Sequence, residues 1–368
     1  MADLTTHRPK SRGITHRWSQ WKNGFYSKLW VQDLFSRLPI FARLSRKEGE
    51  AIFQMMTGFV DTQILLYFVR SGLLADLKEG PLAINVLAQN AGLDTETLRL
   101  LCRAGVALKL VHVHKDRVSL ARRGALVLGL PGIAELIDHH SILYQDMADP
   151  TPFFKGDMAY QLAAFWPYVF GTMGTVNDRD VARYSDLMTK SQFMVARDTL
   201  RAISPKKNAR WLDVGGGSGA FVTQVTAKHP HVTATVFDLN GAHNGAVGHD
   251  FIEGSFFTDP LPEGFDVISL IRVLYDHSDD TVKNLLTKVY TALPSGGHLV
   301  VSEPMLGDPH PNRFGDTYFA VYTFAMQTGK TRSAKQISDI LKEIGFSSVK
   351  IHPTKRPFVT TVIEGVKN

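Results

Sequence analysis

Residues Trp211–Phe221 read WLDVGGGSGAF, and the next apolar run, ATVFDL, carries an acid, Asp238. A short, apolar, β-prone run that breaks directly into glycines predicts a buried strand ending in a turn. There the missing Cβ atoms let backbone N–H groups approach a ligand closely. A carboxylate at the end of the following strand is placed to accept hydrogen bonds from both hydroxyls of a ribose. The pairing predicts a site for a ligand that carries an adenosine.

Two cofactors compete for such a site. Gly215, Gly217 and Ala220 satisfy a loose G-x-G-x-x-A dinucleotide pattern, which alone has low specificity. The turn is denser in glycine than that pattern needs, with Gly215, Gly216, Gly217 and Gly219, and Asp213 sits within the strand end. Tight backbone and a nearby carboxylate suit the amino-acid tail of S-adenosylmethionine better than a pyrophosphate. A nicotinamide dinucleotide, or a turn that binds nothing, stays open as an alternative.

Positioning these residues takes alternating strands and helices. AFVTQVTAKHP reads as the helix that returns across the sheet; HDFIEGSFF, GFDVISLIRVLYDHSDD, TVKNLLTKVYTALPSGG and HLVVSEPM then alternate apolar runs with amphipathic segments. That alternation predicts an α/β fold, a parallel sheet wrapped by helices. The chain ends SAKQISDILKEIGF, SSVKIHP and FVTTVIEGV, a helix and two strands close enough to pair antiparallel at the sheet edge.

The 368 residues, with 44% hydrophobic and 21% charged, suit a globular protein of two domains. Cys102, alone in the sequence, cannot form an internal disulfide and points to a reducing compartment. No apolar signal core follows the basic N-terminal residues, and no run reads as long enough to cross a bilayer, so a cytoplasmic location is expected. All of the net charge of +6 lies in residues 1–50, which hold ten Lys+Arg and four Asp+Glu. This leader also holds Trp18, Trp21 and Trp30 among its cations, a mixture that suits a membrane surface or an arm packed on a dimer partner. A polar stretch, SPKKNA at Ser204–Ala209, reads as the linker before the glycine-turn domain. Between residues 133 and 203 the chain reads as helical and rich in aromatics and Met: Tyr144, Phe153, Phe154, Phe165, Trp166, Tyr168, Phe170 and Phe193, with Met147, Met158, Met173 and Met194. Such a set fills a core or lines a wide apolar pocket.

DVGGGSG, FDL, GSFF, LIRVLYDHSDD, ALPSGGHLVVSEP and GKTRSAKQISDILKEIGF together resemble the plant-type small-molecule O-methyltransferases. The resemblance implies a Rossmann-like class I methyltransferase fold over residues 206–368, S-adenosylmethionine as cofactor, no metal, and a homodimer. It covers the N-terminal half as well, where residues 51–130 resemble the helix, helix, helix and β-wing of that family's winged-helix dimerisation domain, with 131–205 as the substrate-pocket segment. A winged helix also reads DNA. Its third helix, Asp94–Leu110, carries only scattered Arg99, Arg103 and Lys109 behind Asp94 and Glu96, not the basic face phosphates need, so no nucleic acid is expected.

By the same resemblance Gly215 lies in the cofactor turn, Asp238 on the ribose, Ser255 and Phe256 near the adenine, and Arg272 close to the methyl donor. Aspartate is common in the family at Ser255. The family's catalytic histidine falls on Tyr275, of its two steering glutamates one falls on Glu303 and the other on Thr331, and His277 aligns with a tryptophan. His277 would share a face with Tyr275 if the segment stayed extended. A phenol, with a pKa of about 10, is a poor base near neutrality. RVLYDH, the basic aromatic leader and TKRPFVTTVIEG are most similar to the carotenoid O-methyltransferases of purple phototrophic bacteria, which implies an acyclic hydroxycarotenoid substrate and a place at the photosynthetic membrane. Bacteriochlorophyllide ring methyltransferases, a nicotinamide oxidoreductase and a winged-helix regulator are the alternatives.

Overall fold

The computed structural model describes residues 39–165, 178–239 and 249–368. The expectations for residues 1–38 of the leader, and for Trp166, Tyr168, Phe170 and Met173, lie outside these residues. The chain forms two compact units, Met1–Tyr67 and Phe68–Asn368.

The first unit contributes a long helix, α1 (Pro39–Arg70), whose end belongs to the second. Its segment Ser45–Arg70 is long and apolar enough to cross a membrane, which corrects the expectation that no run is. The reason lies in Ala51–Phe68, where Asp61 is the one charged residue among scattered Gln, Thr and Gly. Ile52, Phe53, Met55, Met56 and Phe59 are all exposed.

The second unit opens with a one-turn helix, Leu73–Asp76, followed by β1 (Leu82–Ala83), α2 (Ile84–Ala91), α3 (Thr95–Ala107), β2 (Val111–His114), β3 (Arg117–Leu120) and α4 (Arg122–Gly129). α3 starts where the sequence places a cap: the Asp94 carboxylate accepts the Thr97 N–H at 2.8 Å. β2 and β3 form a hairpin whose two turn residues, Lys115 and Asp116, both take positive φ, the backbone such a tight turn demands. β1 completes a small sheet of order β1-β3-β2.

Helices follow: α5 (Ile133–Asp146), α6 (Pro150–Lys155), α7 (Gln161–Phe165) and α8 (Asp178–Ala202). Part of the aromatic stretch proves to be ordinary core. Phe153 is fully buried, edge-on to Tyr160 and packed with Leu143 and Leu162, whereas Phe154 is exposed. Then come β4 (Arg210–Val214), α9 (Ala220–Lys228), β5 (Thr233–Asp238), β6 (Asp250–Glu253), β7 (Val267–Ile271), α10 (Asp279–Ala292), β8 (His298–Glu303), a π-helical segment Phe314–Phe319 running into α11 (Ala320–Met326), α12 (Ala334–Ile344), β9 (Ser348–His352) and β10 (Thr361–Val366).

Seven strands form one sheet in the order β6-β5-β4-β7-β8-β10-β9. All pairs are parallel except those made by β10, which inserts antiparallel between β8 and β9. The expected terminal hairpin is thus present, with β9 as the outer strand. Trp211, Leu212, Val214, Ile268 and Leu270 are completely buried, as strands covered on both faces by helices must be. The chain leaves β4 towards β5 on one side and returns to β7 on the other, so a crevice opens beyond the carboxyl ends of β4 and β7.

α8 is anchored beside that crevice. Its buried Thr199 shares a hydroxyl chain with Ser302 at 2.6 Å and, beyond it, Thr360 at 2.7 Å, while Asp198 takes a two-pronged hydrogen bond from Arg356. Gly132, at the start of α5, sits against α8 with φ +81°; a Cβ there would lie 2.6 Å from the Ser191 nitrogen. Gly132→Ala should therefore lower stability by at least about 1 kcal/mol for the left-handed backbone alone, with a further cost for the clash. The check is the urea midpoint at constant slope; an unchanged midpoint would show that the two helices are not held this close.

Candidate active site

The glycine turn leaves β4 with Gly215, Gly217 and Gly219 all at positive φ. At Gly217 a Cβ would meet nothing within 4 Å, so the turn faces open space there. Asp238 closes the turn from β5: one carboxylate oxygen accepts the Gly217 N–H at 2.8 Å and the other the Leu239 N–H at 2.7 Å. A carboxylate has about four acceptor positions, so one lone pair on each oxygen remains for a ligand hydroxyl. Burial raises the Asp238 pKa, and the two N–H bonds oppose that rise.

Asp213 lies at the end of β4, almost fully buried. Its Oδ1 accepts the Ser269 hydroxyl at 2.5 Å, Ser269 in turn accepts the Trp211 indole N–H at 2.8 Å, and its Oδ2 is buried without a partner. Burial, opposed by the Ser269 bond and assisted by the Asp238 charge, pushes its pKa up to about 7. A buried, unpaired acceptor beside a glycine turn open to a ligand is what a cationic group would satisfy. These residues fit S-adenosylmethionine: a carboxylate for the ribose, a turn without side chains, and an acid for the ammonium end. Ser255 follows β6 and closes a turn, its N–H donating to Asp259 at 2.8 Å, and the rings of Phe256 and Phe257 lie 4.6 Å apart beside it.

The third group gathers beyond β7. Arg272 adopts φ +59° and donates from its guanidinium to Ser191 Oγ on α8 at 2.8 Å and, at a long 3.4 Å, to the Tyr275 hydroxyl. The segment does not stay extended; it folds into a 3₁₀ turn, Leu274–Asp276. His277 therefore does not share a face with Tyr275. Its ring packs edge-on to Phe256 and Phe257, and burial, with the Arg332 charge nearby, lowers its pKa to about 4. The Tyr275 phenol is pushed by burial to about 12, so its hydroxyl keeps its proton near neutrality.

Glu303, at the end of β8, is completely buried; its Oε2 accepts the Tyr275 N–H at 3.2 Å and its pKa rises to about 8 through burial. It holds the turn rather than a histidine. Thr331 is also buried, its hydroxyl 3.1 Å from that of Thr323. The residue that the sequence reading passed over is the next one. Arg332, 1% exposed, donates to the carbonyls of Leu274, Lys330 and His277 at 3.0, 2.9 and 2.9 Å and pairs with Asp279 at the start of α10. A second omission is a cluster of two histidines and two tyrosines: His139 and His140 on α5 lie 2.7 Å from the Tyr322 hydroxyl and 2.8 Å from the Tyr318 hydroxyl. Among the described residues no group of three His, Cys, Asp or Glu side chains is placed to hold a metal.

A seven-stranded sheet with an inserted antiparallel strand, carrying this turn and acid at its switch point, defines a class I S-adenosylmethionine-dependent methyltransferase. The profile of an O-methyltransferase domain matches residues 144–347. The chain is 45% identical over 338 residues to demethylspheroidene O-methyltransferase of Rhodobacter capsulatus, covering 91% of this chain and 86% of that one. It is 44% identical to the enzyme of the same name from Cereibacter sphaeroides, covering 91% and 92%. Human N-acetylserotonin methyltransferase in complex with S-adenosylmethionine shares the fold, with a TM-score of 0.70 at 21% identity over 87% of this chain and 98% of that one. The chain belongs to this O-methyltransferase family and uses S-adenosylmethionine, which when bound supplies a sulfonium-activated methyl group.

Asp238→Ala tests the site. Two hydrogen bonds to a charged acceptor, each worth about 1.5–3 kcal/mol, predict a loss of S-adenosylhomocysteine affinity of about 100-fold or more. Calorimetry decides it, and an affinity within threefold of wild type would remove Asp238 from the ribose.

Proposed function

We propose that the enzyme methylates the tertiary hydroxyl of an acyclic hydroxycarotenoid of the demethylspheroidene type. The observation that carries this reading is similarity at 44–45% identity, along nine-tenths of the chain, to two enzymes of that name. The chemistry of the site agrees. Tyr275, its pKa pushed by burial to about 12, stands where the family resemblance implies a histidine, which favours an acceptor that is oriented and gives up its proton late. In this reading Asp213 receives the ammonium end of the cofactor, Asp238 the ribose, Phe256 and the Ser255 turn the adenine, and Arg272 the donor end. Tyr275 and Arg272 align the acceptor hydroxyl, Glu303 keeps Tyr275 in place, and His277 supports the Phe256 ring. Holding the reacting oxygen in line with the methyl group is worth up to about 7–11 kcal/mol. A polyene can supply that positioning, since burial of its apolar surface gives about 25 cal/mol per Å².

The assay is transfer of radiolabelled methyl to a 1-hydroxylated acyclic carotenoid in detergent, to caffeate and to bacteriochlorophyllide. We expect label in the carotenoid and at least about 100-fold less in caffeate, whose small ring cannot draw on the positioning that burial of a polyene supplies. Efficient caffeate labelling would refute the reading, and labelling of the chlorin alone would assign the enzyme to ring methylation.

A homodimer built on the N-terminal region is the second part of the proposal, with residues 51–130 as a winged-helix dimerisation domain, 131–205 as the substrate-pocket segment and 206–368 as the methyltransferase domain. Supporting it are the exposed apolar residues of α1, with Leu100 and Val106 exposed on α3. Arg99 of α3 is tied to Asp116 at 2.5 Å and to Glu96, so the face a DNA reader would present is neutralised. The leader's cations and tryptophans support a peripheral contact with the photosynthetic membrane. Phe53→Glu combined with Phe59→Glu should convert a dimer to a monomer in sedimentation equilibrium. If the wild type sediments as a monomer and binds anionic vesicles through α1, the helix is a membrane contact instead.

A further inference from the structure

Four aromatic residues from two distant parts of the chain meet beside the Tyr275 turn. Tyr318 and Tyr322 are four residues apart on the π-helical segment and α11, so they share one helix face, and their rings lie 5.9 Å apart. His139 and His140 approach that face from α5. The two pairs differ in what they offer. Tyr322 and His139 are buried, at 6% and 5% exposure, and His139 packs against Phe165 at 4.6 Å. Tyr318 and His140 are only half-buried.

The hydrogen bonds of His140 assign its protons. Its Nδ1 lies 2.5 Å from the Leu136 carbonyl oxygen, which can only accept, so Nδ1 carries the hydrogen. In the neutral ring Nε2 is then an acceptor, and the Tyr318 hydroxyl at 2.8 Å donates to it. Tyr318 Oη keeps a lone pair for a third party. The oriented chain is therefore open at the phenol and ends at a basic nitrogen.

Resting on the methyl-transfer reading above, we propose that Tyr318 and His140 form the proton relay of this enzyme, in place of the histidine missing at position 275. As the substrate oxygen bonds to the methyl carbon, the carbon–sulfur electron pair stays with the departing sulfur. The hydroxyl proton passes to Tyr318 Oη while the Tyr318 proton passes to His140 Nε2. The positive charge of the sulfonium thereby ends on an imidazolium whose Nδ1–H is already bound to Leu136, and the proton leaves to solvent from there. Tyr318 touches the substrate; His140 acts through it.

The groups that face the pair are Tyr144 and His139 on its own helix, Tyr322 beside Tyr318, and Tyr275, Arg272 and Asp276 across from them on the turn after β7. Lys190 of α8 is paired with Glu135 at the start of α5. Burial lowers the His140 pKa, and the Leu136 bond opposes this, so the ring is neutral at pH 7.

The experiment combines kinetics with nitrogen-15 NMR. In wild type, single-turnover methylation of the hydroxycarotenoid should rise with pH through the His140 pKa and then level, with two protons in flight in a solvent isotope inventory. His140→Gln, which can still accept from Tyr318 but cannot take its proton, should slow the step about 10²- to 10⁴-fold and abolish the acid limb. Tyr318→Phe should remove the second proton from the inventory and raise the His140 pKa in an NMR titration, because the donor favouring neutral Nε2 is gone. Calorimetry with S-adenosylhomocysteine should give wild-type affinity for both variants. A wild-type pH limb and rate in His140→Gln, or a His140 pKa indifferent to Tyr318→Phe, would overturn the relay while leaving the substrate reading intact. A wild type that methylates no hydroxycarotenoid, yet shows the NMR coupling, would overturn the substrate reading and the relay's role in it.

Discussion

The site depends on one buried guanidinium. Arg332 is fully enclosed, and an unpaired charge at that depth would be strongly destabilising. Its five N–H groups are instead distributed over the Leu274, His277 and Lys330 carbonyls and the Asp279 carboxylate. Those partners belong to the turn after β7, the start of α10 and the segment before α12, so a single side chain ties three pieces of backbone that the sheet alone does not join. Glu303 completes the restraint from β8 by accepting the Tyr275 N–H. Held from both sides, the turn presents Tyr275 and the strained, positive-φ Arg272 to the crevice, a conformation that costs on the order of 1–3 kcal/mol and persists only where its surroundings over-determine it.

What the sequence makes legible is what is local. The glycine turn, the acid one strand later and the alternation of apolar runs all act through chain neighbours or adjacent strands, and the structure brings Asp213, Gly215, Gly217 and Asp238 together at the switch point as spacing implies. The terminal antiparallel pair is legible for the same reason. The condition under which His277 would share a face with Tyr275, an extended segment, fails because the chain turns into a 3₁₀ turn there, with Arg332 bonded to the His277 carbonyl. Arg332 itself went unread because resemblance directs attention to the missing glutamate at Thr331, and no periodicity marks a residue whose partners on the turn and on α10 lie 53–58 positions away.

The histidine–tyrosine pairs were beyond reach for a stronger version of that reason. His139 and Tyr322 are separated by 183 residues, and His140 and Tyr318 by 178. Each looks like an ordinary aromatic on an amphipathic helix, and only the packing of α5 against the π-helical segment and α11 turns them into donors and acceptors. The aromatic stretch shows the converse. Phe153, read as a pocket candidate, is consumed by the core that supports α11. Aromatic count measures how much surface must be buried; it does not say whether against protein or ligand.

Charge explains why a relay matters more here than in a solvated site. Burial drives Asp213 to about 7, Glu303 to about 8 and Tyr275 to about 12, and holds His277 near 4, so the crevice tends towards neutral forms. Transfer of a methyl group from a sulfonium disperses positive charge, which such surroundings favour. The benefit is lost if the acceptor's proton remains on the new ether oxygen, because the charge then stays at the reacting centre in the same low-dielectric pocket. Moving that proton one phenol and one imidazole outward places it on His140, less buried than His139 and tied to a carbonyl that stabilises the imidazolium. An aliphatic hydroxyl, whose proton becomes acidic only as the carbon–oxygen bond forms, needs its acceptor already aligned at that moment. Alignment by packed helices meets that need without a strong base at position 275.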